Sequence, residues 1–433
     1  MKLFEHQVKA LEETKEQNRV AFYHDMGLGK TYTGAEKLIR LGARVNLVIC
    51  QKSKIEDWIE HFISNYDILA FDLTKPSEFK EFEWFISNPP REPLIAVINY
   101  ELAFRRKQLL TLKDFTLMLD ESSLIQNEKV KRSKFILKME PANVILLSGT
   151  PTGGKYENLW SQLHLLGWNI SQKMFYNQYV NYHYDDSEGF PILIIDGYKN
   201  EERLKRKMRA HGCHFLTTDE VFDLPEQIHQ TISIPTTKEY RKFKKDSIIT
   251  YKDPYNGPDE TVEGFTNIEL VGDTTLTKML YERQLCGQYN ADKLEAFKDL
   301  LQSTNDRLVV FYNFNDELDR LMKIAAECKR QFGAVNGNVK NPEMINPESA
   351  ILFVQYQAGA MGLNLQKANK IVYFTPPLSS ELFEQSKKRI HRIGQEKTCF
   401  YYYLTCKGSV EEKIYNTLAM RKDYTEALFT EEV

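Results

Sequence analysis

The sequence predicts an α/β protein made of two doubly wound parallel-sheet lobes, because short apolar runs alternate with amphipathic stretches in two separate series. Each run is too short for a buried helix, and most are rich in branched residues, as strands covered on both faces are. Amphipathic stretches such as 55–62 and 131–138 have the pattern of helices that cover such a sheet. The predicted strands are 47–50, 94–98, 117–119 and 144–147 in the first series, and 308–312, 351–354, 371–374 and 400–404 in the second.

The length of 433 residues exceeds what one ordinary hydrophobic core holds and favours several domains. We expect a first α/β lobe over residues 1–165 and a second over residues 281–433. Residues 166–280 differ in composition, with aromatic and helical stretches, and predict a mainly helical intervening region. Turn-forming residues at 253–259 indicate an exposed hairpin or linker within that region.

Composition limits the class of protein. Hydrophobic residues make up 42% and charged residues 27% of the chain, which is typical of a globular protein. The 57 basic and 60 acidic residues give a net charge of −3. That balance excludes a wholly basic, histone-like surface but allows a local basic groove for nucleic acid.

The cysteines and the apolar runs indicate the compartment. Six cysteines without a CxxC pair argue against a zinc site and fit a reducing environment. No apolar run has the length of a membrane span, and the amino terminus lacks the apolar core of a signal peptide. We therefore expect no membrane partner. The expected location is the cytoplasm of a bacterium or phage-infected cell, or the nucleus if the source is a eukaryote.

Residues 24–31, His-Asp-Met-Gly-Leu-Gly-Lys-Thr, have the pattern of a phosphate-binding loop. Gly27 and Gly29 allow the backbone to bend close to phosphate oxygens, and the following helix offers its first amides to the anion. Lys30 would reach the β- and γ-phosphates, and the Thr31 hydroxyl would bind Mg²⁺. Because the generic pattern has a further glycine where His24 stands, a chance match is the alternative when this segment is taken alone.

Asp120 and Glu121 supply a second element, since they follow the apolar strand 117–119, about 90 residues after Lys30. Asp120 would hold the metal, usually through water, and Glu121 would orient and deprotonate the attacking water. An Asp-Glu pair alone is commonly a solvated turn. At the end of a strand, and together with Lys30, the pair predicts an ATPase that uses ATP and Mg²⁺.

A third element is the basic segment 385–395, which contains Arg389 and Arg392. We expect a helix here, on which the two arginines share a face because they are three positions apart. If they reach the nucleotide of the first lobe, one or both could neutralise charge that develops on the γ-phosphate. The alternative is a basic helix face that is solvated or contacts DNA.

These segments resemble the motifs of superfamily 2 helicases, in particular the Swi/Snf-type branch. Residues 25–31 are similar to that branch's Glu-Met-Gly-Leu-Gly-Lys-Thr, and residues 389–395 have its Arg-x-His-Arg-Ile-Gly-Gln form. Further blocks follow in the family's order over nearly the whole chain. The resemblance implies two RecA-like lobes and a DNA-dependent ATPase that moves along duplex DNA, generally without separating the strands.

The resemblance also implies roles for residues that their local pattern does not explain. Gln7, beside Phe4 and His6, is expected to contact the adenine base. The nucleotide-binding residues implied are Gln7, Met26, Gly27, Leu28, Gly29, Lys30, Thr31 and Gly362. The residues implied in nucleic-acid contact or in coupling are Lys52, Ser53, Asn99, Tyr100, Ser148, Thr150 and Asn364.

The chain departs from the family pattern at positions that bear on coupling. Ser122 and Ser123 replace the usual Ala-His pair after the acidic residues, and Gly153 and Gly154 replace a Gln-Asn pair. Gln51 stands where proline is usual. None of these changes removes a group that ATP hydrolysis requires. We expect DNA contacts and coupling to differ from those of better-studied members.

The resulting expectation is an ATP-dependent translocase that moves along duplex or forked DNA without reading its sequence. One alternative is a strand-separating helicase in phage or bacterial replication or repair, with proteins of those processes as partners. Another, of a different class, is a non-hydrolysing DNA-binding module. RNA is the less favoured polymer. Basic clusters at 203–209 and 238–245 could supply phosphate contacts or form solvated helix faces.

Overall fold

The computed structural model describes residues 2–88, 91–185, 191–253, 266–339, 341–359 and 363–429. The chain divides into two compact units, which are Met1–Phe222 with Asp423–Val433, and Asp223–Lys422. Each unit has hydrophobic cores of its own. No helix within the described ranges is both long enough and apolar enough to cross a membrane.

The first unit contains a parallel sheet, a separate hairpin and the helices that connect the strands. Its strands are β1 (Arg19–His24), β2 (Val45–Cys50), β3 (Leu69–Asp72), β4 (Leu94–Asn99), β5 (Thr116–Asp120), β6 (Asn143–Ser148), β7 (Val180–Asp185), β8 (Ile192–Tyr198) and β9 (Cys213–Leu216). Its helices are α1 (Glu5–Glu13), α2 (Lys30–Leu41), α3 (Ile55–Tyr66), α4 (Pro76–Ser87), α5 (Tyr100–Ala103), α6 (Lys131–Ile136), α7 (Trp160–Leu165), α8 (Gln172–Tyr179) and α9 (Glu201–Ala210). Short 3₁₀ helices occur at Lys52–Lys54, Lys107–Thr111, Ser122–Ile125 and Tyr156–Leu159.

The seven-stranded sheet of this unit has the order β3–β4–β2–β5–β6–β1–β9, and every neighbouring pair is parallel. Alternate residues of β1 and β2 belong to two different core clusters, so apolar side chains cover both faces of the sheet. In parallel sheets the carboxyl ends of the strands form one edge, where ligands usually bind. Because β6 pairs with both β5 and β1, the loops after His24, Asp120 and Ser148 leave that edge side by side.

The second unit contains another parallel sheet, in the order β10–β17–β16–β13–β15–β14, and an antiparallel pair, β11 with β12. Its strands are β10 (Gln227–Ile234), β11 (Ile248–Asp253), β12 (Thr266–Val271), β13 (Leu308–Tyr312), β14 (Phe332–Val335), β15 (Ile351–Gln355), β16 (Lys370–Tyr373) and β17 (Cys399–Cys406). Its helices are α10 (Lys238–Asp246), α11 (Thr275–Cys286), α12 (Ala291–Ser303), α13 (Asn315–Glu327), α14 (Tyr356–Gly359), α15 (Ser380–Lys387) and α16 (Val410–Phe429), with a 3₁₀ helix at Pro342–Ile345. The residues of α16 from Asp423 onward fall with the first unit.

These two sheets confirm the predicted class of two doubly wound parallel-sheet lobes, and all eight predicted strands are present. Residues 166–222 fall with the first unit, and residues 223–280 fall with the second. The expected lobe boundaries at 165 and 280 stay predictions. The intervening residues contain helices α8 to α11 and, in addition, strands β7 to β12. Beyond Asp253, the turn-forming stretch 253–259 lies outside the described residues, between the paired strands β11 and β12.

Candidate active site

The loop between β1 and α2 has the backbone of a phosphate-binding loop. Gly27 and Gly29 have φ values of 89° and 69°, which side chains with a Cβ rarely adopt. Gly29 caps α2, so Lys30 and Thr31 form the first turn, where amides point away from the helix. The Lys30 Nζ atom donates to the carbonyl oxygens of His24 at 2.9 Å and Asp25 at 3.2 Å. The donor set therefore fits an anion held at the start of α2.

The segment at the start of α1 holds this loop in place. Gln7 Nε2 donates to the carbonyl oxygens of Gly29 at 3.1 Å and Leu28 at 3.4 Å, and His6 Nε2 lies 3.0 Å from Leu28 O. A Cβ added to Gly29 would lie 2.5 Å from Gln7 Nε2, so the Gln7 amide would have to move away from the loop. Gln7 is buried, and its amide binds the loop; its contact with an adenine base stays a prediction.

The acidic pair lies at the end of β5, two strands from the phosphate-binding loop. Asp120 Oδ2 accepts a 2.9 Å hydrogen bond from Trp58 Nε1. Burial raises the pKa of Asp120, while the hydrogen bond from Trp58 and the positive charge of Lys30 act in the opposite direction. Asp120 is thus oriented by a core residue and lies within the electrostatic influence of the loop lysine.

Glu121 has a left-handed backbone, with φ of 55°, which is uncommon for a residue with a side chain. Such a conformation persists only where the surroundings hold it. The hydroxyl of Tyr100, a fully buried side chain, donates to the carbonyl of Asp120 at 2.9 Å and lies 3.4 Å from that of Glu121. The position of Tyr100 therefore suits coupling within the site rather than direct contact with nucleic acid.

The loop after β6 lies against the phosphate-binding loop. A Cβ placed on Gly149 would be 3.3 Å from Lys30 Nζ and 3.3 Å from Met26 Cγ. Within the loop, the Thr150 amide donates to Ser148 Oγ at 3.1 Å, and both residues are buried. The structure thus brings together Lys30, the acidic pair and the segment around Gly149.

Three other predicted residues of the first unit follow strands of the same sheet. Lys52 and Ser53 are exposed on the 3₁₀ helix after β2. Asn99, at the end of β4, is largely buried and donates to Glu101 Oε2 at 2.9 Å. Lys52 and Ser53 are accessible to a polymer at the carboxyl edge of the sheet, whereas Asn99 orients a neighbouring carboxylate.

The expected helix across Arg389 and Arg392 is wrong, because α15 ends at Lys387. The following turn is held by long-range bonds that replace helical ones: Arg389 O accepts from the Leu365 amide at 3.1 Å, and Gln395 Nε2 donates to Ala368 O at 2.9 Å. Arg389 is buried, and Arg392 is partly exposed.

Arg392 Nη1 donates to Asn364 Oδ1, so two predicted functional residues meet within the second unit. Burial lowers the pKa of Arg392 from its usual value. Gly362, predicted to bind nucleotide, lies outside the described residues.

Sequence reasoning missed a layer of contacts behind the phosphate-binding loop. His24 Nε2 lies 2.9 Å from His214 Nδ1, and His214 Nε2 lies 3.0 Å from Glu13 Oε2. Asp25 Oδ2 accepts from both the amide and the hydroxyl of Thr218 at 3.0 Å. The partners of His24 and Asp25 are 190 and 193 residues away in the sequence, so no local pattern could have indicated them.

Comparison with known families gives two matches that together span most of the chain. The SNF2-related domain matches residues 6–291, which is more than half of the 433 residues. The helicase conserved C-terminal domain matches residues 292–394. The first match thus includes every loop described above for the first unit, and the second includes Arg389 and Arg392.

Several curated proteins are similar to the chain. It is 26% identical over 390 residues to the DNA repair and recombination protein RAD54-like of Gallus gallus, covering 78% of the chain and 52% of that protein. It is 24% identical over 328 residues to the DNA annealing helicase and endonuclease ZRANB3 of Bos taurus, covering 71% and 29%. It is 22% identical over 461 residues to the uncharacterized ATP-dependent helicase MG018 of Mycoplasma genitalium, covering 98% and 41%.

The chain spans between about a quarter and about half of the length of such relatives. Among solved structures, the Sulfolobus solfataricus SWI2/SNF2 ATPase core in complex with dsDNA is similar with a TM-score of 0.46 and 18% identity. That likeness covers 98% of this chain and 92% of the other.

We expect the free energy of unfolding of the first unit to fall as the pH decreases from about 7.5 to about 5.5. Burial lowers the pKa of His24 well below 6.5, and the charges of His214, Lys30 and His6 lower it further. Burial also lowers the pKa of His214, although Glu13 opposes this. Below pH 6.5 the unfolded chain therefore binds more protons than the folded chain, and protonation favours unfolding.

The measurement is the urea midpoint of the chain at several pH values, compared between the unmodified protein, His24→Gln and His183→Gln. The His24→Gln variant should show a smaller pH dependence. His183 is exposed, with a side-chain exposure of 54%, so its variant should keep the original dependence. Equal dependence in all three proteins would contradict the assignment to His24.

Proposed function

Because the chain belongs to the SNF2-related family of helicase-type, DNA-dependent ATPases, we propose that it hydrolyses ATP in order to move along duplex DNA. The observation that carries this proposal is the meeting of Lys30, the Asp120–Glu121 pair and Gly149 on loops from three neighbouring strands. A lysine, two carboxylates and helix amides at one edge are the groups that phosphoryl transfer to water requires.

Each group has a definite task in this chemistry. The amides at the start of α2 and Lys30 Nζ bind the phosphate oxygens. Thr31 and Asp120 would hold Mg²⁺, which supplies charge neutralisation at the phosphates. Glu121 orients the attacking water and accepts its proton, while Trp58 keeps Asp120 in the orientation that binding needs.

Arginine from the second unit is proposed to complete the reaction. Arg389 and Arg392 carry the planar, permanently charged group that suits a phosphoryl oxygen in the transition state. Arg392 is the better placed of the two by exposure, since it is partly exposed while Arg389 is buried.

Movement along DNA requires two states that differ in affinity for the polymer. Lys52 and Ser53 are exposed and have the charge and the hydroxyl that bind phosphate oxygens. Such backbone contacts carry no base information, so binding should be independent of sequence and sensitive to salt. These residues support movement along a phosphate backbone, and the comparison of polymers below measures whether duplex, forked or single-stranded DNA is the preferred track.

Helix α10 offers a further phosphate contact in the second unit. Tyr240 and Phe243 are buried and anchor it, and its remaining side chains include five exposed cations. Among the described residues no carboxylate forms an ion pair with any of the five. Like charges so close together repel one another, and phosphates relieve that repulsion. We call this the basic face; it consists of Lys238, Arg241, Lys242, Lys244 and Lys245.

Replacing Lys30 with alanine should weaken ATP binding, whereas Glu121→Gln should keep binding but lower turnover about 10²- to 10⁴-fold, since it removes the base. The measurement is phosphate release with no polymer, single-stranded DNA, duplex DNA, forked DNA and RNA. Matched controls are Lys113→Ala and Glu140→Gln. These two residues form an exposed ion pair, and neither has a role in the proposed reaction. No turnover with any polymer in the unmodified protein would favour the non-hydrolysing DNA-binding module.

The arginine proposal has its own test. Arg392→Lys should lower kcat about 10³-fold with little change in the KM for ATP, because the interaction forms in the transition state. Arg389→Lys measures the other candidate, and Arg307→Lys, at a partly exposed position, is the control. Full turnover in both Arg389→Lys and Arg392→Lys would exclude an arginine finger from this turn.

Neutralising four cations of the basic face, from Arg241 to Lys245, should weaken DNA binding and its dependence on salt. The slope of log K against log salt should become less steep by about 3 to 4, because each phosphate contact contributes about 0.9. The control variant makes the same change of charge at scattered exposed lysines, which are Lys80, Lys107, Lys323 and Lys367. If the slope of log K against log salt is unchanged in the α10 variant, the basic face is exposed to solvent and does not contact DNA.

A further inference from the structure

Gln162, on α7, lies at the centre of a buried hydrogen-bond cluster in the first unit. Its Nε2 atom donates to Pro151 O at 2.8 Å. Its Oε1 atom accepts from Ser122 Oγ at 2.7 Å and from the Tyr23 hydroxyl at 3.1 Å. Gln162, Ser122 and Tyr23 are all fully buried. One amide therefore joins the residue after Glu121, the Ser148–Pro151 loop and the strand that leads into the phosphate-binding loop.

The cluster includes the residue that follows the acidic pair in the sequence. Ser122 and Ser123 follow Glu121 directly, and both are buried. An alanine at 122 has no hydroxyl and could not donate to Gln162. Inside a protein, a buried amide without partners is costly, and hydrogen bonds between buried groups are strong. The buried Ser122 hydroxyl therefore requires an acceptor, and Gln162 Oε1 supplies it.

We propose that Gln162 is a positioning residue that transmits changes in the Ser148–Pro151 loop to the hydrolytic Glu121. This inference rests on the proposed ATPase function. A shift of Pro151 moves the amide of Gln162, and the amide moves Ser122, which is bonded covalently to Glu121. Glu121 has a strained left-handed backbone that neighbouring bonds must hold, so it responds to the loss of one of them.

The hydrogen bonds of Gln162 distinguish a role in connecting the two loops from a role in packing alone. Because Gln162 contacts Pro151 on one side and Ser122 on the other, its loss should affect the catalytic step and spare the binding of ATP and DNA. The bond from Tyr23 reaches the same oxygen but involves neither loop, since Tyr23 lies within β1. Tyr23→Phe is therefore a matched control that removes a buried hydrogen bond of the same amide and leaves the connection between the loops.

The experiment compares the full chain with Gln162→Leu, Ser122→Ala, the double variant and Tyr23→Phe. Turnover is measured with and without saturating duplex DNA, together with the KM for ATP and the affinity for DNA. We expect kcat with DNA to fall about 10- to 100-fold in either single variant, with both binding constants nearly unchanged. The double variant should fall no further than the singles, because both remove one connection. Tyr23→Phe should keep the stimulation by DNA.

Two results would overturn the inference. One is full stimulation by DNA in Ser122→Ala and Gln162→Leu. The other is an equal loss in Tyr23→Phe, which would indicate a packing role. Ser122→Ala removes a single oxygen atom, so it keeps the test available if Gln162→Leu does not fold. Absence of any DNA-stimulated turnover in the unmodified protein would instead refute the proposed function, and this inference with it.

Discussion

The position of β6 between β5 and β1 is the constraint on which the chemistry of the first unit depends. All three strands are parallel and buried on both faces, so apolar contacts fix their register. A slip of one residue would turn each inward side chain to the opposite face, which a sheet covered on both sides resists. The same burial that stabilises the sheet thus fixes the spacing between Lys30, Asp120 and Gly149.

Aromatic residues transmit this rigidity to the reacting groups. Trp58 packs in the core against Phe62, with ring centroids 5.8 Å apart, and its indole nitrogen still donates to Asp120. Tyr100 likewise combines a fully buried ring with a hydroxyl that holds the carbonyl of Asp120. Such side chains have an apolar body and a polar end, so packing free energy also orients a carboxylate. The same aromatic side chains therefore form part of the core and hold Asp120 in the site.

Eight strands were predictable because a strand covered on both faces must be apolar throughout. Strand β1 is also buried and lies inside its sheet, but it was not predicted. The edge strand β10, which is largely exposed, and the short strand β9 lack that pattern and were missed. Lys30 was found because it follows the glycines of its loop, and Asp120 and Glu121 were found because they follow an apolar strand directly. Their partners were not, since contacts such as Trp58 with Asp120 span 62 residues. The expected helix after Lys387 was wrong for the same reason: distant partners hold that turn.

The positions where the chain departs from the family pattern suggest which parts of such a site can change. Lys30 and Glu121 act on phosphate and water directly, so a change at either position alters a group that takes part in the reaction. Ser122 lies behind them, where a buried group needs only a partner of complementary polarity. Gln162 supplies that partner, from a helix 40 residues further along. A connection between loops can therefore be rebuilt from different residues, provided that each new donor meets an acceptor, while the groups that touch the reaction stay fixed.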